Sequence, residues 1–143
     1  MRLPPPTPDD LDVPQDVEAT AALLLDVAFR VHRALGPGLL ESVYRRCLAH
    51  GLRRAGATVV EEGRMDIEFE GLRIESGLRL DLLVNGHLVV ELKAVEALHP
   101  VHEAQVLSYL RLSRRPLGLL LNFNVPLLKH GIRRFVNPRA LDS

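Results

Sequence analysis

Apolar positions from about Asp16 onward recur at three- and four-residue spacing: Ala21, Leu24, Leu25, Ala28, Val31, His32 and Leu35. That period predicts an amphipathic helix, broken by Gly36-Pro37-Gly38. A second helix is predicted from Leu39 to Ala55, with Leu40, Val43, Tyr44, Cys47, Leu48 and Leu52 on one face and Gly56 closing it. The pattern then changes to extended runs. Thr58–Glu61 reads as a short strand, and Met65–Phe69 alternates up to a turn at Glu70-Gly71. Residues 72–84 form a longer run, interrupted near Ser76-Gly77. Asn85-Gly86 is the strongest hairpin signal in the chain, and residues 87–95 form the return strand. Pro100 suits the first turn of a helix that runs to about Ser113. Leu117–Phe123 is a continuous apolar run, as expected of a strand buried on both faces. Gly131–Val136 reads as an edge strand. Two helices, a strand meander, a helix and a further strand predict an α/β domain, a mixed sheet with helices packed on it.

The chain has 143 residues, one domain's worth. Residues 1–15 read as a flexible Pro-rich tail, 16–138 as a single domain and 139–143 as a short C-terminal tail. Hydrophobic residues are 47% and aromatic residues 4%, so Leu, Val and Ile must fill the core. No apolar run is long enough to span a bilayer, and the start lacks the apolar stretch of a secretory signal. The single cysteine, Cys47, fits a reducing cytoplasm and a packing role. Formal net charge is zero. That argues against a simple polycation that binds nucleic acid non-specifically, while leaving room for a local basic groove. Of 18 basic residues only Lys93 and Lys129 are lysines.

Lys93 belongs to the most informative stretch, DLLVNGHLVVELK, residues 81–93. The segment reads as core, yet carries Asp81 near one end and Glu91 and Lys93 at the other. Charges in an apolar sheet are expensive. Glu91 and Lys93 are two apart and share a face of one strand. Whether Asp81 joins them depends on the turn. A strict two-residue Asn85-Gly86 turn pairs Asp81 with Val90 and sends the carboxylates to opposite faces. One extra residue in the hairpin pairs Asp81 with Glu91. Convergence would bring together two carboxylates and an ammonium, a set that a hard divalent cation completes. Without convergence, an ion pair of Lys93 with Asp81 or Glu91 accounts for the charges, and spacing alone favours that simpler account.

Two further segments bear on the choice: GPGLLESVY, residues 36–44, and HEAQVLSYL, residues 102–110. Together with D…ELK they resemble the GxxExxY family of the PD-(D/E)XK nuclease superfamily. Gly38, Glu41 and Tyr44 match the name motif. Asp81, Glu91 and Lys93 match the metal-binding and catalytic signature. Gln105 and Tyr109 match the Q-x-x-x-Y helix motif of the RecB-like branch, and LLLNFNVPLLKHGIRRFVN resembles the closing strand and tail. The likeness runs from about residue 20 to 137. Leu80 stands where the superfamily label has Pro, and SGLRLD lacks an aromatic residue often found just before the Asp. The resemblance implies a restriction-endonuclease-like α/β core and Mg²⁺-dependent hydrolysis of nucleic-acid phosphodiesters, with Mn²⁺ as a substitute ion. Asp81 and Glu91 would hold the metal, with Glu41 as an additional carboxylate, direct or through water. Lys93 would assist the nucleophile or the transition state. Gln105, Tyr109, Tyr44 and His102 would serve in substrate binding or in orienting the metal ligands.

Each of these residues also has a plainer account. Glu41 is favourable in a helix first turn. Gln105 and Tyr109 fit an amphipathic boundary. His99 and His102 suit hydrogen bonding at a helix start, or less simply a transition-metal site. The Arg pairs at 45–46, 53–54, 114–115 and 133–134 fit a solvated surface, or a track for phosphates. Two other functions stay open: a non-catalytic nucleic-acid-binding or interaction domain, and a metal-dependent hydrolase of small phosphate esters or nucleotides. A chain this small would need a second copy to grip both strands of a duplex, which leaves room for a homodimer.

Overall fold

The computed structural model describes residues 13–141, so most of the expected N-terminal tail lies outside the described residues. Helix α1, Gln15–Leu35, starts directly after Pro14 and presents Val17, Ala21, Leu24 and Ala28 to the core. These recur at the spacing of one helix face. Val27 is buried as well, against α2, Glu41–Arg54. The two helices cross closely at Gly51, where an added Cβ would meet Val27 Cγ1 at 2.5 Å. The buried face of α2 is Tyr44, Leu48, Ala49 and Leu52. It is narrower than the sequence pattern predicts. Leu40 is 74% exposed and Val43 37% exposed, and Cys47 is only half-buried.

Five strands follow in the sheet order in which they occur in the chain: β1 Val59–Phe69, β2 Leu72–Val84, β3 Leu88–Lys93, β4 Leu117–Asn122 and β5 Ile132–Val136. Neighbours are antiparallel except β3 and β4. That parallel pair needs a crossover, and α3, Pro100–Ser113, supplies it. A four-residue helix α4, Pro138–Leu141, ends the described chain in residues expected mainly as tail. The two strands expected at 58–61 and 65–69 are one, passing through Glu62 with its φ at 52°. The interruption expected near Ser76-Gly77 is a bulge, with Ser76 at φ 54° and a register shift opposite it.

Alternation along β3 and β4 feeds two cores, one on each face of the sheet. Leu88, Val90, Leu92, Leu117, Leu119 and Leu121 face α1 and α2. Val89 and Leu120 face α3, where they meet Val106 and Leu110. All six residues of β4 are buried, which explains why its sequence is a continuous apolar run. Gly118 is the exception in size. A Cβ there would come within 3.2 Å of Val106 and Leu110, so its absence lets α3 settle onto the sheet.

The α1–α2 loop is pinned from inside. Tyr44 is fully buried and stacks on Phe123 at 4.6 Å. Its hydroxyl donates to Gly36 O at 2.6 Å and accepts from Leu39 N at 3.1 Å. His32 Nε2 reaches Val125 O at 2.8 Å. A carbonyl only accepts, so this nitrogen carries the proton. Tyr44→Phe would leave a carbonyl and an N–H without their partner, and the expected loss is about 1–3 kcal/mol. Urea unfolding checks this; an unchanged midpoint would mean that the loop finds its hydrogen bonds elsewhere.

Candidate metal centre

The geometry begins at the β2–β3 turn. The ladder pairs Val84 with Leu88, Leu83 with Val89 and Leu82 with Val90. Three residues therefore make the turn: Asn85, Gly86 and His87. Asn85 at φ 51° and Gly86 at φ 73° both occupy the left-handed region, which Asn and Gly tolerate best. The Asn85 side chain accepts from Thr58 N at 2.9 Å and donates to Thr20 Oγ1 at 3.0 Å. His87 Nε2 lies 2.7 Å from the same oxygen. Thr20 spends its one hydroxyl proton on Asp16 O, so His87 is the donor and its proton sits on Nε2. This turn supplies the odd residue on which convergence of Asp81 and Glu91 depended.

Continuing the register sets Asp81 opposite Glu91, but the regular ladder ends one pair earlier. From there each carboxylate bonds the other strand's backbone. Asp81 N donates to Glu91 Oε1 at 3.0 Å, and Leu92 N donates to Asp81 Oδ2 at 2.9 Å. Two N–H groups that the parting strands would orphan are satisfied by side chains. Asp81 is 7% exposed and Glu91 3%. Burial, followed by the neighbouring Asp81 charge, pushes the Glu91 carboxyl up to about 9, with Lys93 opposing. At that value Glu91 holds its proton at pH 7.

Lys93 is half-buried and two residues on, on the same face as Glu91. Among the described residues it forms no salt bridge with Asp81 or Glu91. The simple ion pair is thus not the reason for the charges. Past Lys93 the chain is held by buried Asn122, which donates to Val95 O at 2.9 Å and accepts from Val95 N at 3.1 Å. Phe123 N adds a bond to Lys93 O at 2.9 Å. The sequence reading passed over Asn122, although a lone amide closing an all-apolar strand is a visible signal.

Glu41 is the first residue of α2. Burial and the Asp81 charge raise its pKa, while Lys93, Arg45 and Arg79 pull it back. It thus shares one electrostatic neighbourhood with Asp81 and Lys93. Among the described residues, however, no three His, Cys, Asp or Glu side chains group tightly enough to enclose a metal ion. On α3, Gln105 Nε2 donates to Tyr109 Oη at 2.7 Å, which leaves the Tyr109 proton available to a further acceptor. Burial and the Glu91 charge raise the Tyr109 pKa, so it remains a donor across the working range. His102 Nδ1 accepts from His99 N at 3.0 Å, the helix-start role read from the sequence. Desolvation and the nearby Lys93 lower its pKa, which keeps the ring neutral and its proton on Nε2. Tyr44 is different. It is a core residue whose hydroxyl is committed to the loop before Glu41.

Asp81 and Glu91 fit a hard cation by donor chemistry. Each uses one oxygen on the opposite backbone, and the other would serve a ligand once Glu91 gives up the proton that it shares with Asp81. Mg²⁺ commonly takes one or two carboxylates and keeps several waters, so an open pair suits it better than a closed cage.

The raised Glu91 pKa has a consequence for stability. Folded Glu91 holds its proton up to about pH 9, whereas an unfolded Glu releases it near its ordinary value of about 4.3. Between those limits the folded state binds more protons. The contribution is complete below the unfolded value and is lost as pH rises through the folded one. In EDTA, the wild type is expected to lose stability from about pH 5 to pH 9. Glu91→Gln keeps the acceptor for Asp81 N, removes this slope and unfolds at higher urea than wild type at pH 8. A slope identical in both proteins would contradict the assignment.

The sequence was also compared with known proteins. Residues 18–135 match the family model of the PD-(D/E)XK nuclease superfamily. No curated protein and no solved structure matches the chain. The match spans most of the sequence and includes both buried carboxylates, Lys93 and the sheet that carries them, and the mixed five-stranded α/β architecture is consistent with a restriction-endonuclease-like core. The chain belongs to the PD-(D/E)XK nuclease superfamily.

Proposed function

We propose that this protein is a Mg²⁺-dependent nuclease, hydrolysing nucleic-acid phosphodiester bonds at Asp81, Glu91 and Lys93. Within the superfamily we read it as a GxxExxY member of the RecB-like branch, on Gly38, Glu41, Tyr44, Gln105 and Tyr109. The observation that carries the function is the split between β2 and β3. Two buried carboxylates face each other there, the pKa of Glu91 raised by burial and by the neighbouring Asp81 charge, beside a lysine that forms no salt bridge with either among the described residues.

Asp81 and Glu91 would hold the metal. Glu41 adds negative charge at the same place and would act directly or through a bound water. A bound Mg²⁺, or Mn²⁺ in its place, supplies a more acidic water and charge stabilisation at the phosphoryl group. Lys93 orients the attacking water or neutralises charge developing on the phosphate oxygens. Tyr109, with Gln105 behind it, offers a hydroxyl proton to a phosphate oxygen, to a water or to Glu91. His102, within electrostatic reach of Lys93, offers its Nε2–H as a further donor. Tyr44 acts at one remove, by fixing the loop from which Glu41 starts its helix. No helix among the described residues is long and apolar enough to cross a membrane.

A cleavage assay on single- and double-stranded DNA and RNA, with Mg²⁺, Mn²⁺ or EDTA, tests the proposal. Wild type should cut in metal and not in EDTA. Lys93→Ala, purified in parallel, should lose about 100-fold or more, as expected for a lost transition-state contact. Cutting equal in wild type and Lys93→Ala would point to a contaminant and overturn the assignment.

A further inference from the structure

Beside the carboxylate pair lies a second cluster that the sequence reading did not connect with it. Arg79 is two residues before Asp81 on β2. Glu62 occupies the gap in the β1–β2 register, between the Glu61–Leu82 and Gly63–Leu80 pairs, and so lies across from Asp81. Its carboxylate touches two guanidiniums, Arg45 Nη1 at 3.3 Å and Arg79 Nη2 at 3.5 Å. Both contacts are long for charge-assisted bonds, which run at about 2.7–2.9 Å. Glu61 does little to relieve this. It lies 3.9 Å from Arg45 and is engaged by Arg53 at 2.9 Å. Three arginines thus face two carboxylates.

Two features suggest that these guanidiniums have capacity to spare. Arg45 is 17% exposed, and its Nε is buried with no hydrogen-bond partner. A buried charged donor in that state is costly. Arg79 is 53% exposed and can turn toward an incoming ligand. Both lie within electrostatic reach of Glu41, and Arg79 also of Tyr109. The cluster therefore flanks the carboxylate pair itself.

We infer that Arg79 and Arg45 form a second phosphate position next to the metal centre, which takes a neighbouring, uncleaved phosphate of a nucleic-acid strand. Glu62 holds the two forks side by side in its absence. Guanidinium pairs suit such an oxyanion, since each presents several donors in one plane. Two successive phosphate positions select a polymer over a phosphate monoester or a mononucleotide. The inference rests on the nuclease reading of the adjoining centre and narrows its substrate class.

Binding separates the two claims, because it needs no turnover. Fluorescence anisotropy of a labelled single-stranded oligonucleotide is followed in EDTA over a series of salt concentrations. Arg79→Ala, at a half-exposed position, should weaken binding about tenfold, as for one lost charge-assisted contact. It should also flatten the dependence of log K on log salt by about 0.7. Arg134→Ala removes the same charge from β5, at the opposite edge of the sheet from β1, where Arg134 pairs with Glu18, and should change little. Equal effects from Arg79→Ala and Arg134→Ala would overturn the inference, as would absence of oligonucleotide binding. If wild type hydrolyses bis(4-nitrophenyl) phosphate yet binds no oligonucleotide, the second phosphate position is wrong and the metal-hydrolase reading stands. Arg79-dependent binding without cleavage in Mg²⁺ supports the position and removes the hydrolytic reading instead.

Discussion

The reciprocal bonding of Asp81 and Glu91 is the constraint on which the rest depends. Where β2 and β3 separate, each strand loses backbone partners. The carboxylate of each residue replaces one of them on the other strand. An apolar residue at either position would leave a buried N–H orphaned, at about 1–3 kcal/mol. The same two side chains therefore keep the sheet intact and bring oxygens together for a cation. Burial and the neighbouring Asp81 charge both raise the Glu91 pKa.

That arrangement depends in turn on one extra residue. A two-residue Asn-Gly turn would send Asp81 and Glu91 to opposite faces of the sheet. The left-handed Asn85, tied to Thr58, and the Asn85 and His87 bonds to Thr20 on α1 hold the three-residue form instead. The core selects the same register, because Leu82, Val84, Leu88 and Val90 all pack toward α1 and α2. Local turn chemistry and packing agree, and Asp81 and Glu91 lie at the open end of the hairpin that they align.

Much of this was legible in the sequence. Helical periodicity located α1, Pro100 marked the start of α3, and a continuous apolar run marked β4, whose six residues are all buried. The D…E-x-K spacing singled out Asp81 and Glu91, which the fold brings together, and reduced their convergence to a question about turn length, which spacing alone cannot answer. Other features were hidden for physical reasons. The exposed Leu40 and Val43 extend an apolar stripe beyond the face that α1 covers, so periodicity overstated the buried side of α2. Glu62 in a left-handed conformation carries no sequence mark of the kind a glycine would give, so β1 read as two strands. The importance of Arg79 depends on Glu62 and Arg45, which only the folded register brings near it. Tyr44 shows the opposite difficulty. Its motif suggested chemistry, and its hydroxyl is bonded to the backbone of the loop before α2.

The most direct test of the central claim is a calorimetric titration of Mn²⁺ and Mg²⁺ into wild type and Asp81→Asn. Asn retains an oxygen for Leu92 N, so the fold should survive while the charge is lost. The account predicts saturable metal binding by wild type that disappears in Asp81→Asn, with both proteins cooperatively folded by circular dichroism. Equal binding by the two proteins, or none by wild type, would contradict the assignment of the split strands as a metal centre.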